Sequence, residues 1–235
     1  MIIADTTQLF QCMVILYVRS VLCLLNAVKA PPQMSRNNSK RIGIYSGSFD
    51  PVHKGHISFA LSALNDARLD AVYFVVESLP RHKPGITHYA HRVAMLKLAT
   101  RAHPNLYVLE LPDKRFSVAK TLPRLLAKFK GDELCMLIGS DVLAHIALWP
   151  MVEELLTHVG LVVGLRSATN IDQALALATA MPKPLSELHL LESIEPSMAS
   201  RQIRQSFRSG HTSYAVLPSI AAYIKKHWLY ASVSE

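Results

Sequence analysis

Two histidines three residues apart, His53 and His56, stand where a short apolar segment gives way to small residues and a turn. The surrounding stretch, Arg41 to His56, reads RIGIYSGSFDPVHKGH. Ile42 to Tyr45 has the character of a strand, Ser46, Gly47 and Ser48 are small, Phe49-Asp50-Pro51 is a turn, and His53-Lys54-Gly55-His56 begins a helix. A strand that runs into small residues and opens a helix gathers backbone N–H groups and the positive end of the helix dipole at one place. Such a place favours phosphate. At a spacing of three the histidines share a helix face and can address the same anion. Gly55 keeps a side chain out of the way, so that a ligand can approach the backbone.

Glycine, the Phe-Asp-Pro turn and the histidine pair together resemble the phosphate-binding signature of the nucleotidylyltransferase superfamily, G-x-F-D-P-x-H-x-G-H. Its fixed positions are met at Gly47, Phe49, Asp50, Pro51, His53, Gly55 and His56.

The elements that must position these residues alternate along the chain. A helix is expected over about 55–68, a continuous apolar strand over 71–76, a helix over 91–103 with Val93, Leu96 and Ala99 inward, and a strand over 106–111. Further on come a helix at 117–128, a strand at 134–138 ending in Gly139-Ser140-Asp141, a helix around 151–156 and a strand at 160–165. The chain continues with a helix at 171–180, a short strand at 188–191, and helices at 200–207 and 218–227. Such alternation predicts an α/β fold with a doubly wound, open parallel sheet, formed as one domain over 41–235. Ligands in such sheets sit outside the carboxyl ends of the strands, which puts the first motif and Gly139-Ser-Asp141 on the same side.

Five further pieces can serve the chemistry. Pro80-Arg81-His82-Lys83 offers three basic groups after the second strand, or else is a solvated basic loop. Arg92 reads as a surface arginine on an amphipathic helix. Asp141 is either part of a strand-ending turn or cap, or a carboxylate for a ribose hydroxyl or a magnesium-bound water. Trp149 is either core or a stacking platform. In PSMASRQIR, Pro196 to Arg204, Ser200 can cap a helix that presents Arg201 and Arg204 on one face. Arginines at a helix start oppose the dipole, which an anion bound there would relieve; solvated arginines are the other reading.

In order and spacing these pieces resemble the bacterial nicotinate (or nicotinamide) mononucleotide adenylyltransferases, over Arg41 to about Trp228. The family's P-H-K/R element corresponds to Arg81-His82-Lys83-Pro84, and its R-x-x-M helix to Arg92-Val-Ala-Met95. Its I-G-[AS]-D-x-L motif corresponds to Ile138 through Leu143, followed by Trp149, and its I-S-[SA]-T-x-I-R ending to Met198 through Arg204. The resemblance implies a Rossmann-like transferase of NAD (pyridine nucleotide) biosynthesis. It would join AMP from ATP to a pyridine mononucleotide with release of pyrophosphate. It further implies that His53, His56 and Arg204 are catalytic. ATP would be held by Ser46, Gly47, Ser48, Phe49, Gly55, Gly139, Asp141, Ser200 and Arg201, and the acceptor by His82, Lys83, Arg92 and Trp149. Mg2+ would be carried on substrate phosphates and water rather than in a protein cage.

The chain departs from the family at two places. The S-Y-T-x-x-T-L element reads Phe116-Ser117-Val118-Ala119-Lys120-Thr121-Leu122, and Ala199 and Arg201 replace a serine and a threonine in the last motif. The acceptor half is therefore altered more than the triphosphate half. A related transferase with another phosphorylated acceptor, such as phosphopantetheine, and a nucleotide-binding module without catalysis are the alternatives.

A formal charge of +8 calls for an anionic partner, and nucleotide substrates supply one. A basic stripe with interleaved aromatics is lacking, so nucleic acid is not expected. Cys12, Cys23 and Cys135 show neither metal-ligand spacing nor an even framework, which fits a reducing, cytoplasmic setting. A homo-oligomer is compatible with this reading. Residues 1–40 differ from the rest, since Leu9 to Val28 is strongly apolar but holds Arg19 in its middle, a charge that costs about 3 kcal/mol in a membrane. The start MIIADTTQ lacks the basic residues of a signal peptide. The preferred expectation is a translation start at Met34, with an apolar anchor, an added helix or a signal as alternatives. Mass spectrometry of the native amino terminus should find no peptide covering Leu9 to Val28, and such a peptide would refute a start at Met34.

Overall fold

The computed structural model describes residues 39–80, 85–165, 171–192 and 199–231. Expectations for residues 1–38 lie outside them.

The strands are β1 (Arg41–Gly47), β2 (Ala71–Val76), β3 (Leu106–Leu109), β4 (Glu133–Gly139), β5 (Val159–Leu165) and β6 (Leu188–Glu192). The helices are α1 (Lys54–Asp66), α2 (Tyr89–Thr100), α3 (Thr121–Lys128), α4 (Ser140–Ile146), α5 (Val152–His158), α6 (Ile171–Thr179), α7 (Ser200–Arg208) and α8 (Pro218–Lys226). All neighbouring strands are parallel, in the order β3-β2-β1-β4-β5-β6. The order reverses between β1 and β4, and that reversal marks the ligand crevice of an open parallel sheet. Pairing of β1 with β4 stops at Ile44–Met136, although β1 runs on to Gly47 and β4 to Gly139. The two strands therefore part toward their carboxyl ends, where both motifs lie.

Strand residues alternate between two cores, which explains the near-continuous apolar runs. Val72, Phe74, Val76, Cys135 and Leu137 pack on one face with Ala60 and Ala63 of α1, Met95 and Leu96 of α2, and Ile220 and Ile224 of α8. Ile42, Ile44, Met136, Ile138, Leu161 and Val163 pack on the other with α3 through α6. At seven residues each, α4 and α5 are too short to persist alone. Burial of Leu143, Ile146, Leu155 and Leu156 holds them, each such side chain contributing about 1.5–3 kcal/mol. The sequence reading has no helix at α4, because seven residues hold too few apolar positions to show a period. The helix expected from Ser117 starts at Thr121, the intervening residues forming a turn on the Ser117 carbonyl. Among the described residues no helix is long and apolar enough to cross a membrane.

An ionic brace closes the amino end of the sheet, away from the crevice. Arg41 Nη2 donates to both Glu187 oxygens at 2.6 and 2.7 Å, and His189 Nε2 lies 2.7 Å from Glu187 Oε1. The Glu187 side chain lies over Gly160, where a Cβ would sit 3.1 Å from it. Burial raises the Glu187 carboxyl, but the hydrogen bonds with His189 and Arg41 outweigh it and hold it at about 2.

At the carboxyl end, fully buried Arg92 of α2 ties the loops together. Its Nε donates to the Thr87 carbonyl at 2.8 Å, its Nη1 to those of Ser48 and Glu77 at 2.7 Å each, and its Nη2 to that of Ser78 at 3.1 Å.

A depressed carboxyl stabilises the fold above its unfolded value, near 4.5, and that contribution is lost as pH falls toward 2. Urea midpoints of the wild type should therefore decline across this window, and Glu187→Gln should flatten the decline while lowering stability at pH 7 by about 1–3 kcal/mol. Arg92→Lys should cost about 2–4 kcal/mol by the same measurement, because one ammonium cannot satisfy carbonyls arranged around a planar fork.

Candidate active site

The site begins with a backbone that doubles back. Phe49 adopts a left-handed conformation, φ 48°, unusual for a bulky residue. The strain is offset by a buried ring that meets Tyr45 at 5.3 Å, Phe74 at 5.4 Å and His56 at 5.2 Å between centroids. A Cβ at Gly47 would lie 3.1 Å from that ring, so glycine is what lets Phe49 fold under the strand end. Ser46, Gly47 and Ser48 are left half-buried at the rim of the crevice.

The histidines come together as the spacing implies. His53, the N-cap of α1, is 6% exposed, and its ring lies over that of His56 with centroids 3.7 Å apart. The His53 N–H donates to His56 Nδ1 at 3.2 Å. That bond assigns neutral His56 the tautomer with its proton on Nε2, the donor a phosphate oxygen requires. The helix start offers less than the sequence implies. The Lys54 N–H bonds the Ala215 carbonyl at 2.8 Å and the His56 N–H bonds that of His53 at 3.0 Å. Gly55 is half-buried between them.

Helix α7 docks on the same turn. Arg204 Nη1 donates to the Asp50 carbonyl at 2.7 Å, and Ser200 Oγ to that of Pro51 at 3.0 Å. Ser200 thus differs from the helix cap expected of it: Ala199 occupies the N-cap, and the Ser200 hydroxyl is a strut to the turn. Arg201, Arg204, Gln205 and Arg208 line a hollow of about 470 Å³ beside the docking point, with Arg201 and Arg208 exposed.

Arg92 departs from the role assigned to it. Its N–H groups are directed at four carbonyls and the side chain is fully buried, so it braces the site rather than touching an acceptor. Burial pushes its guanidinium below the ordinary value, and the Asp50 carboxylate opposes that shift. The signal was present: Arg92 stands four and seven residues before Leu96 and Ala99, on the buried face of α2.

Across the crevice, Gly139 is the extended N-cap of α4 and Asp141 lies exposed in its first turn. A carboxylate there complements the dipole and also faces the side where ligands bind. Trp149 is half-buried after α4, its ring 5.9 Å from Phe116. Glu77 links this region to β1: its Oε1 accepts from the Phe116 N–H at 3.0 Å and from Ser46 Oγ at 3.4 Å. Val118, at the altered family position, is buried in the second core, and the Ser117 N–H bonds Thr121 Oγ1 at 3.0 Å. His82 and Lys83 lie outside the described residues.

Sequence reasoning missed the partners of Asp50, which is 4% exposed. Its Oδ2 accepts from the Thr87 N–H at 3.3 Å and its Oδ1 from the Tyr230 hydroxyl at 2.7 Å. No local pattern marks a contact between positions so far apart in the chain. Among the described residues no group of three His, Cys, Asp or Glu side chains is arranged to hold a metal ion.

The chain matches the Cytidylyltransferase-like family over residues 44–207. It is 30% identical to the nicotinate-nucleotide adenylyltransferase of Bacillus subtilis (strain 168) over 203 residues, 82% of this chain and 100% of that protein. It is 31% identical to a probable nicotinate-nucleotide adenylyltransferase of Bordetella avium (strain 197N) over 193 residues, covering 81% and 98%. In structure it is similar to a Plasmodium falciparum nicotinic acid mononucleotide adenylyltransferase complexed with NaAD, with a TM-score of 0.69 and 19% identity over 81% of this chain and 97% of the other. With the histidine turn, the arginine helix and the 3-2-1-4-5-6 sheet in place, the chain belongs to the nicotinate-nucleotide adenylyltransferases of the Cytidylyltransferase-like family.

Proposed function

We propose that this protein transfers the adenylyl group of ATP to the phosphate of nicotinate mononucleotide, forming the dinucleotide and pyrophosphate. The observation that carries this reading is one turn that has the paired rings of His53 and His56 after it and Arg204 bonded to its Asp50 carbonyl. Relatives named for this activity support it.

In the reaction, an oxygen of the mononucleotide phosphate attacks the α-phosphorus of ATP in line. The bond from that phosphorus to the bridging oxygen breaks, and pyrophosphate leaves with the electron pair. No covalent link to the protein is needed, so the work is positioning and charge stabilisation. His56 donates through Nε2 to oxygens at the reacting phosphate, while His53 fixes the tautomer through its N–H and holds the ring by stacking. Arg204, with Arg201 at the hollow, receives the charge that grows on the β- and γ-phosphates. Ser46, Gly47 and Ser48 form the rim on which the nucleotide rests. Trp149 stacks on the pyridine ring. The exposed Asp141 carboxylate would hold a water of a magnesium ion carried on ATP, and that ion would supply neutralisation of phosphate charge.

A second reading keeps the adenylyl donor and changes the acceptor. Its support is Val118, an apolar, buried side chain where the family carries a hydroxyl.

Pyrophosphate release with ATP and magnesium, with nicotinate mononucleotide, nicotinamide mononucleotide and phosphopantetheine supplied separately, decides between these. The expected result is turnover on nicotinate mononucleotide that falls at least about 100-fold in His56→Ala. Turnover on phosphopantetheine alone would overturn the acceptor, and ATP binding without turnover on any acceptor would overturn the reaction.

A further inference from the structure

The chain after α8 folds back rather than trailing away. The Trp228 N–H bonds the Lys225 carbonyl at 3.3 Å and the Leu229 N–H that of Ile224 at 3.0 Å. Trp228 and Tyr230 adopt left-handed backbone conformations, φ 52° and 64°. Both side chains are bulky, so these angles carry strain that the surroundings must offset. The two differ in what they gain. Trp228 is 82% exposed, whereas Tyr230 turns inward, its ring 6.5 Å from that of Phe207 on α7 and its hydroxyl 2.7 Å from Asp50 Oδ1. Burial, with the Asp50 carboxylate behind it, pushes the Tyr230 hydroxyl well above its ordinary value, so it remains a proton donor at any working pH.

Asp50 is a single residue held from three directions: Tyr230 at one carboxylate oxygen, Thr87 at the other, and Arg204 at the main-chain carbonyl. Those bonds fix where the carbonyl points, and the carbonyl in turn fixes the guanidinium of Arg204. A buried carboxylate deprived of its strongest neutral donor reorients toward other donors, and its own main chain shifts with it.

We infer that Tyr230 is a positioning residue for the anion site: through Asp50 it sets the orientation of Arg204, and with it the binding of pyrophosphate. The inference rests on the proposed role of Arg204 but not on which acceptor the protein uses. Tyr230 is absent from the motifs that mark the site, and its contribution is to hold the arginine in register with the histidine turn rather than to touch the substrate.

The test is the affinity of the full chain for inorganic pyrophosphate, by calorimetry, in wild type, Tyr230→Phe, Arg204→Ala and the double variant. Tyr230→Phe should weaken pyrophosphate about 10-fold. In the Arg204→Ala background the same change should cost less than about 2-fold, since the residue through which it acts is gone. Phe207→Leu, which loosens packing beside Tyr230 but leaves its hydroxyl, should lower the thermal midpoint and leave pyrophosphate affinity within about 2-fold. Unchanged affinity in Tyr230→Phe, or losses that simply multiply in the double variant, would overturn the inference. A Tyr230→Phe chain that does not fold would assign the hydroxyl to stability alone and overturn it equally. Because pyrophosphate binding needs no turnover, a wild type inactive on every mononucleotide would sink the proposed reaction while leaving this comparison decisive.

Discussion

A guanidinium cut off from water must find an acceptor for its N–H groups or the fold loses several kcal/mol. Arg92 meets that demand with carbonyls from two connections: Ser48 after β1, and Glu77, Ser78 and Thr87 between β2 and α2. Neither connection is regular structure, and each would otherwise present carbonyls with no partner in a sheet or helix. The buried cation converts them into one rigid rim. The Phe49 turn, the histidine pair and the docked helix α7 are all built on that rim.

The site therefore has two layers. The outer one holds groups suited to phosphate: the His56 ring with its assigned tautomer, Arg204, Arg201 and Arg208. The inner one holds Arg92, Asp50, Thr87, Glu77 and Tyr230, which bond chiefly to backbone or to each other. Charge is distributed unevenly between them. Asp50 and Arg92 offset one another in the interior, which leaves the exposed arginines to supply a net positive field toward solvent.

Much of this was legible in the amino-acid order. Strand runs such as Ala71–Val76 read directly, because a sheet covered on both faces writes itself as unbroken apolar segments. The phosphate turn read directly as well, since its glycine, turn and histidines are consecutive. What stayed hidden depends on distance. The two cores cannot be told apart in Leu134–Ile138 until the sheet order is known, and α4 offers only Leu143 and Ile146 as apolar anchors. Arg92 looked like a surface residue because its partners are carbonyls, which every residue possesses and no pattern announces. Ser200 looked like a cap because serine before a helix usually is one, and only its reach to Pro51 reveals otherwise.

The contact between Tyr230 and Asp50 joins positions 180 residues apart. Together with Ser200 and Arg204, it ties a turn made early in synthesis to residues made 149 to 180 positions later. A nascent chain can form β1, α1 and the stacked histidines while most of its length is still untranslated. The arginine side of the site cannot form until Ser200 and Arg204 have left the ribosome and docked on that turn. Maturation of this site is thereby tied to synthesis through Tyr230, and a chain ended before that residue would have its histidines in position and Asp50 without its tyrosine donor.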